Sequence, residues 1–283
     1  MSGILGVYSD KQVSKELYYG IYSMQHRGQE SCGIAIYDEE AKEVIYKKEK
    51  GLVGDAFKED ELKNYKGNLG IAHVRSSSVG HNHVANTQPF VGSCRNRNLA
   101  IVDNGSLVNA NYLRETLEEE GFMFQTNSDA EVILHILARY YKGDIVEAVK
   151  VTMDYIKGSY TLAIICDDSL VAVRDPHGFR SLLLGKKGNE YLIASENSAI
   201  EILGGEVIRD VEPGEIIVIK DGELKSYNYS DTYKPVKKSC IFEHVYIARN
   251  DATLDDLNAY EFRINCGAYL AKNEDVKADC VVP

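Results

Sequence analysis

The chain has 283 residues, 44% hydrophobic and 27% charged, the proportions of a globular protein with material for one large domain or two ordinary ones. Its formal net charge of -11 argues against nucleic acid or an anionic membrane as the main partner, because both select basic surfaces. The N-terminus lacks the pattern of a signal peptide, no apolar stretch approaches a membrane span, and the six cysteines are scattered without a Cys-x-x-Cys pair. A cytoplasmic location, no membrane partner and reduced thiols are therefore expected.

In chain order, the sequence opens with a short apolar run over residues 4–8, and a helix is predicted over 13–24, with Leu17, Ile21 and Met24 on one face. Strand-like runs follow at 33–37 and 44–47, and buried strands at 70–74 and 99–102. Asn109 is placed to cap a helix that Gly121 ends, and Ser128 or Asp129 to cap a second over 130–141. A third helix is expected over 145–156. After Gly158 the period becomes extended, with strands at 160–166, 170–173, 181–184, 191–194 and 215–219 and a hairpin turn at Asp221-Gly222. Strands, then helices, then strands point to two sheets with helices packed outside. Residues 227–238 are polar and basic and read as a linker, followed by a strand-like run at 241–247 and a helix over 258–273.

Chemistry is suggested by position 2. Removal of the initiator Met would leave Ser2 first, where a side chain can attack while its own α-amine, of pKa ~8, takes the proton. A Met-Ser start alone carries no weight. Four polar clusters follow it: Gln25-His26-Arg27-Gly28, His73-Val74-Arg75-Ser76-Ser77-Ser78, Asp103-Asn104-Gly105, and Ser128-Asp129-Ala130-Glu131. Each has an ordinary local reading as a helix end, a polar turn, an Asn-Gly turn or a helix N-cap. Their joint order resembles the class II glutamine amidotransferases, which are N-terminal-nucleophile hydrolases. The segments 174–180, 194–196, 212–215 and 240–249 narrow the resemblance to the amidophosphoribosyltransferases, over essentially the whole chain.

That resemblance implies an α+β fold: a four-layer α/β/β/α sandwich over residues 1–232, with an incomplete phosphoribosyltransferase-type segment over 233–283. It implies glutamine as ligand and assigns roles residue by residue. Ser2 stands at the nucleophile, and Asn104 with the Gly105 N–H at the oxyanion hole. Arg75 stands at the grip on the glutamine α-carboxylate, Asp129 at its α-ammonium, Ser78 at a substrate-contacting hydroxyl, and Arg27 with Gly28 beside the nucleophile. An arginine suits a carboxylate because its planar fork donates two parallel hydrogen bonds. No metal is expected in this chain: His81-Asn82-His83 reads as a polar turn, and the family's magnesium and iron–sulfur sites would lie outside it. Cys240 alone cannot hold a cluster.

The chain also departs from the pattern. Ser2 stands where the family has cysteine, Ser76 where tyrosine is usual, and Asp103 where histidine is usual. An alcohol is essentially un-ionised near neutral pH while a thiol of pKa ~8.5 is partly ionised, so weak or absent glutaminase activity is expected. No segment matches the family's phosphoribosyl pyrophosphate loop, so complete transferase activity is not expected of this chain alone. The alternatives are a glutamine-binding regulatory pseudoenzyme, or half of a split or decayed amidophosphoribosyltransferase. Either a homo-oligomer or a separate phosphoribosyltransferase subunit is then expected as partner.

Overall fold

The structure is a computed structural model and describes residues 2–76, 83–230 and 235–282. It opens with strand β1 (Ser2–Tyr8) and helix α1 (Ser14–Ser23), then β2 (Ser31–Asp38) and β3 (Glu43–Lys50). Two single-turn helices, α2 (Val53–Ala56) and α3 (Glu59–Leu62), lead into β4 (Leu69–Arg75), β5 (Phe90–Cys94) and β6 (Arg97–Asp103). A short strand β7 (Ser106–Leu107) precedes helices α4 (Ala110–Glu119), α5 (Asp129–Tyr140) and α6 (Ile145–Tyr155). Next come β8 (Gly158–Ser159), β9 (Thr161–Cys166), β10 (Ser169–Arg174), β11 (Leu183–Lys187) and β12 (Glu190–Ala194). Helix α7 (Asn197–Ile202), β13 (Glu206–Asp210), β14 (Glu215–Lys220) and β15 (Glu223–Asn228) follow. The final stretch holds a π-type turn (Glu243–Ile247), β16 (Thr253–Leu254), β17 (Leu257–Asn258) and α8 (Ala259–Asn273).

A seven-stranded sheet runs β13-β11-β12-β1-β4-β2-β3, and a six-stranded sheet runs β15-β14-β10-β9-β6-β5. Their faces meet in a core of Ile4, Ile71, Val102, Ala163, Ile165 and Ala172. Outside the first sheet, Leu5, Val7, Ile34 and Val74 pack on Leu17, Ile21 and Met24. Outside the second, Ile101, Ile164 and Val173 pack on Ile133, Leu137 and Val149. The expected four-layer α/β/β/α sandwich is what forms. Strands buried on both faces read as unbroken apolar runs, because period-2 alternation shows only where one face meets water.

The register of this frame sets up the site. In β1, Ile4 turns toward the second sheet and Leu5 toward the helices, so Ser2 also turns toward the second sheet. Ser2 lies directly opposite Arg75 on β4, which places both side chains on one face.

Local differences from the sequence reading have physical causes. The expected strand at 241–247 is instead the Glu243–Ile247 turn, with Glu243, His244 and Ile247 buried. Helical spacing, not alternation, points those residues inward. Asn109 sits at the α4 N-cap position without capping it: its side chain bonds Tyr155 O at 2.9 Å and Lys157 N at 2.9 Å. The Asp221-Gly222 hairpin forms as expected, with φ of 52° and 74°. Edge strand β13 gives no alternating signal because Glu206, Val207 and Ile208 are all exposed.

Candidate functional site

The site assembles where the two sheets meet at the ends of β1, β4 and β6. The backbone N of Ser2 donates to Asn104 Oδ1 at 3.2 Å. Asn104 continues the β6–β9 pairing past the end of β6, its N–H bonding Thr161 O at 3.0 Å. With Oδ1 facing Ser2, the amide's Nδ2 is buried and has no hydrogen-bond partner among the described residues. A buried, unsatisfied donor is unfavourable, and such groups are retained where a ligand or transition state completes them.

Gly105 follows directly. A Cβ there would meet Ser159 O at 2.1 Å, so only glycine lets this loop close onto β8. Leu107 N–H, two residues on, donates to Asp129 Oδ2 at 2.8 Å, tying the loop to the first turn of α5. Burial pushes the Asp129 carboxyl above its ordinary value, while the Leu107 N–H and Arg114 act the other way.

Ser2, Arg75, Gly105 and Asp129 line one small open cleft of ≈ 40 Å³, together with Ser76, Gln88, Asp103, Ser106, Asn127 and Ser128. A larger cleft of ≈ 380 Å³ beside Lys48, Phe90 and His135 contains none of the candidate residues. Arg75 is buried, which lowers its pKa, with Glu30 acting against that. The cleft thus presents a guanidinium and a carboxylate together, the charge pattern that complements an amino-acid backbone.

Asp103 reaches the cleft from the helix side, following Leu99 and Ile101 in the β6 alternation. Burial first, and the Asp129 charge second, push its carboxyl well above the ordinary value. It is held toward the neutral form and therefore opposes developing negative charge less than an ionised carboxylate would. Two groups without a role in the sequence reading fix this stretch. Gln88 receives Asp103 N–H at 2.6 Å and donates to Asp103 O at 3.2 Å. His73 Nε2 lies 3.2 Å from the same carbonyl, and burial followed by Arg75 pushes the imidazole down to about 3, so it is neutral.

Arg27 and Gly28 lie behind Ser2 and do not line the cleft among the described residues. Gly28 is required by contact: a Cβ there would sit 2.5 Å from the Arg75 backbone. Arg27 Nε donates to the Ser2 carbonyl at 3.0 Å. Its Nη1 pairs with Glu196 at 2.5 Å, and its Nη2 with Glu243 at 3.0 and 2.9 Å. Burial lowers the Arg27 pKa, but Glu243 and then Glu196 raise it by more. The two carboxylates are partners that sequence reasoning did not assign. Their signal was an acidic residue inside each of two apolar motifs. Ser78, His81 and Asn82 fall outside the described residues. No group of three His, Cys, Asp or Glu side chains able to hold a metal occurs among the described residues, and Cys240 offers a single thiol. The described residues therefore do not fit an iron–sulfur cluster or an all-protein magnesium site. No helix described is long and apolar enough to cross a membrane.

Comparison with known proteins follows the same lines. A glutamine amidotransferase domain model matches residues 73–201. The amidophosphoribosyltransferase of Methanocaldococcus jannaschii is 43% identical over 300 residues, covering 100% of this chain and 63% of that protein. That of Methanothermobacter thermautotrophicus is 40% identical over 286 residues, covering 99% of this chain and 60% of that protein. The structure of glutamine phosphoribosylpyrophosphate amidotransferase from Bacillus subtilis matches with a TM-score of 0.90 at 35% identity, covering 98% of this chain and 59% of that one. The chain thus spans about three fifths of the length of these relatives. By sequence over its whole length and by fold, the chain is homologous to the part of the amidophosphoribosyltransferases that it spans, and it carries a glutamine amidotransferase domain.

Proposed function

We propose that this chain binds glutamine in the Ser2 cleft and hydrolyses its side-chain amide slowly, with Ser2 as a weak nucleophile. The observation that carries the reading is Asn104: its oxygen is taken up by Ser2 N, and its buried Nδ2 is left without a partner beside the Gly105 loop. An oxyanion hole needs such a donor, left unpaired until a charge forms during attack.

In this mechanism Arg75 grips the α-carboxylate and Asp129 the α-ammonium, with Ser78 a further hydroxyl contact. The free α-amine of Ser2 takes the Oγ proton as Oγ attacks the side-chain carbonyl carbon. The oxyanion is held by Asn104 Nδ2 and the Gly105 N–H. Collapse breaks the C–N bond, the amine's proton goes to the leaving nitrogen, and ammonia departs. Water then attacks the γ-glutamyl ester, returning Oγ and releasing glutamate. Serine slows the first step, since an alcohol gives up its proton far less readily than a thiol.

The proposal also takes residues 1–232 as the glutaminase unit and 233–283 as a phosphoribosyltransferase-type segment. The relatives are named as amidophosphoribosyltransferases; delivery of the released ammonia to phosphoribosyl pyrophosphate would then require a phosphoribosyltransferase unit, in a longer chain or a partner. Glutamine binding tests the site. Calorimetry on the native chain should detect saturable binding, and Arg75→Ala and Asp129→Asn should each weaken it by about 10- to 100-fold, the worth of a charge-assisted contact. Binding by both variants as tight as the native chain's would show that glutamine sits elsewhere.

A further inference from the structure

We infer that Glu243 is a positioning residue for Ser2, acting through the Arg27 guanidinium; the inference rests on Ser2 being the nucleophile proposed above. A guanidinium is a planar, rigid fork, so fixing its two terminal nitrogens fixes the direction of its Nε–H. Here one end is fixed by Glu196, which follows β12, at 2.5 Å. The other is fixed by both oxygens of Glu243, at 3.0 and 2.9 Å. The remaining Nε–H falls on the Ser2 carbonyl at 3.0 Å. That carbonyl is part of the nucleophilic residue itself, so its direction helps set where the Ser2 Oγ and α-amine stand.

Arg27 is 2% exposed, Glu196 0% and Glu243 3%, so no water competes for these bonds. Arg180 Nη1 also approaches Glu243, at 3.2 Å, and His26 Nε2 lies 3.0 and 3.1 Å from the two Glu196 oxygens, so two arginines, two glutamates and a histidine share the cluster. Glu243 is supplied by the turn beyond the polar linker, 216 residues from Arg27. The same segment is attached by independent ties. Arg174 forks onto Asp255 at 3.1 and 3.0 Å, and the Asn197 side chain donates to Asp251 O and accepts from Thr253 N–H, each at 3.2 Å. Ala248, Ala252 and Leu254 also pack into the helix-side core of the first sheet. The contribution of Glu243 to Ser2 is therefore separable from attachment of the segment.

The test compares Glu243→Gln with Asp255→Asn, which removes a tie of the same segment without touching Arg27. Glutamate release is measured in the native and Ser2→Cys backgrounds, together with amide exchange across the Ser2–Tyr8 strand. The expected result for Glu243→Gln is a fall in kcat of about 10-fold or more with KM changed less than about 2-fold, because a small misplacement of a reacting group is expensive while Arg75 and Asp129 still hold substrate. Exchange should rise in Ser2–Tyr8 and stay unchanged in Arg97–Asp103, and Asp255→Asn should leave kcat as it was. The inference is overturned if kcat and exchange do not move. It is equally overturned if Asp255→Asn lowers kcat as much, or if exchange rises throughout the molecule. Should neither background release glutamate, the proposed reaction fails, and the exchange result alone decides whether Glu243 holds the β1 end.

Discussion

At the scale of single residues, the charge balance of the cleft is most sensitive at Asp103. Asp103 is 3% exposed and its Oδ1 has no hydrogen-bond partner among the described residues. Because burial and Asp129 raise its pKa in the folded chain, the native state keeps a proton that the unfolded chain has released above about pH 4. A raised carboxyl pKa contributes stability at low pH that is lost as pH climbs toward the folded value. Asp103→Asn removes this ionisation while keeping the shape. Urea unfolding should show the variant gaining on the native chain between pH 4 and pH 7. A constant difference across that range would mean that the carboxyl is ionised and stabilised in the fold.

At the scale of elements, the short β16–β17 hairpin fastens the segment beyond the linker. Its two turn residues, Asp255 and Asp256, have φ of 52° and 64°, a left-handed pair that aspartate tolerates better than most residues. Burial alone would raise the Asp255 pKa, but Arg174, with Ser239 and Lys237, brings it down to about 2. A depressed carboxylate stabilises above its unfolded pKa, so this contribution is present above about pH 4 and is lost as pH falls toward 2. With solvent screening discounted, it amounts to about 1–2 kcal/mol. Between pH 5 and pH 2 the native chain should therefore lose about 1–2 kcal/mol more than Asp255→Asn, measured by denaturant unfolding. Parallel losses would contradict the assignment.

Much of this level was legible in the sequence. The helices over Ser14–Ser23 and Asp129–Tyr140 carry apolar residues at helical spacing. The central strands are continuous apolar runs between turn residues. The helical turn at Glu243–Ile247 was not legible, because five residues are too few to separate one helical turn from an apolar strand. Nor were the pairings of Arg27 with Glu196 and Glu243, which join residues 169 and 216 positions apart. Ser2, Asn104, Arg75 and Asp129 were legible as ordered motifs. Their convergence depends on Ser2 facing Arg75 across a strand pair, which no local pattern encodes.

At the scale of the whole molecule, two sheets face each other so that the first residue of a central strand meets the loop after a strand of the other sheet. An N-terminal nucleophile is well served by this arrangement, since Ser2 is paired to β4 on one side, its backbone N meets Asn104, and the residue lines the cleft. The stretch beyond the linker adds Ala248, Ala252, Leu254 and Ala259 to the same core that holds α1. It thus packs as part of the sandwich while supplying Glu243 to the Ser2 surroundings. The central claim is that this frame presents Ser2 as a nucleophile in a glutamine cleft built for a more acidic side chain. It is tested most directly by glutamate release from the native, Ser2→Cys and Ser2→Ala chains, with Met1 removal verified by mass. Ser2→Cys should exceed the native rate by about 100-fold or more, and Ser2→Ala should show none above background. A native rate that survives in Ser2→Ala, or a Ser2→Cys chain no faster than native, would contradict it.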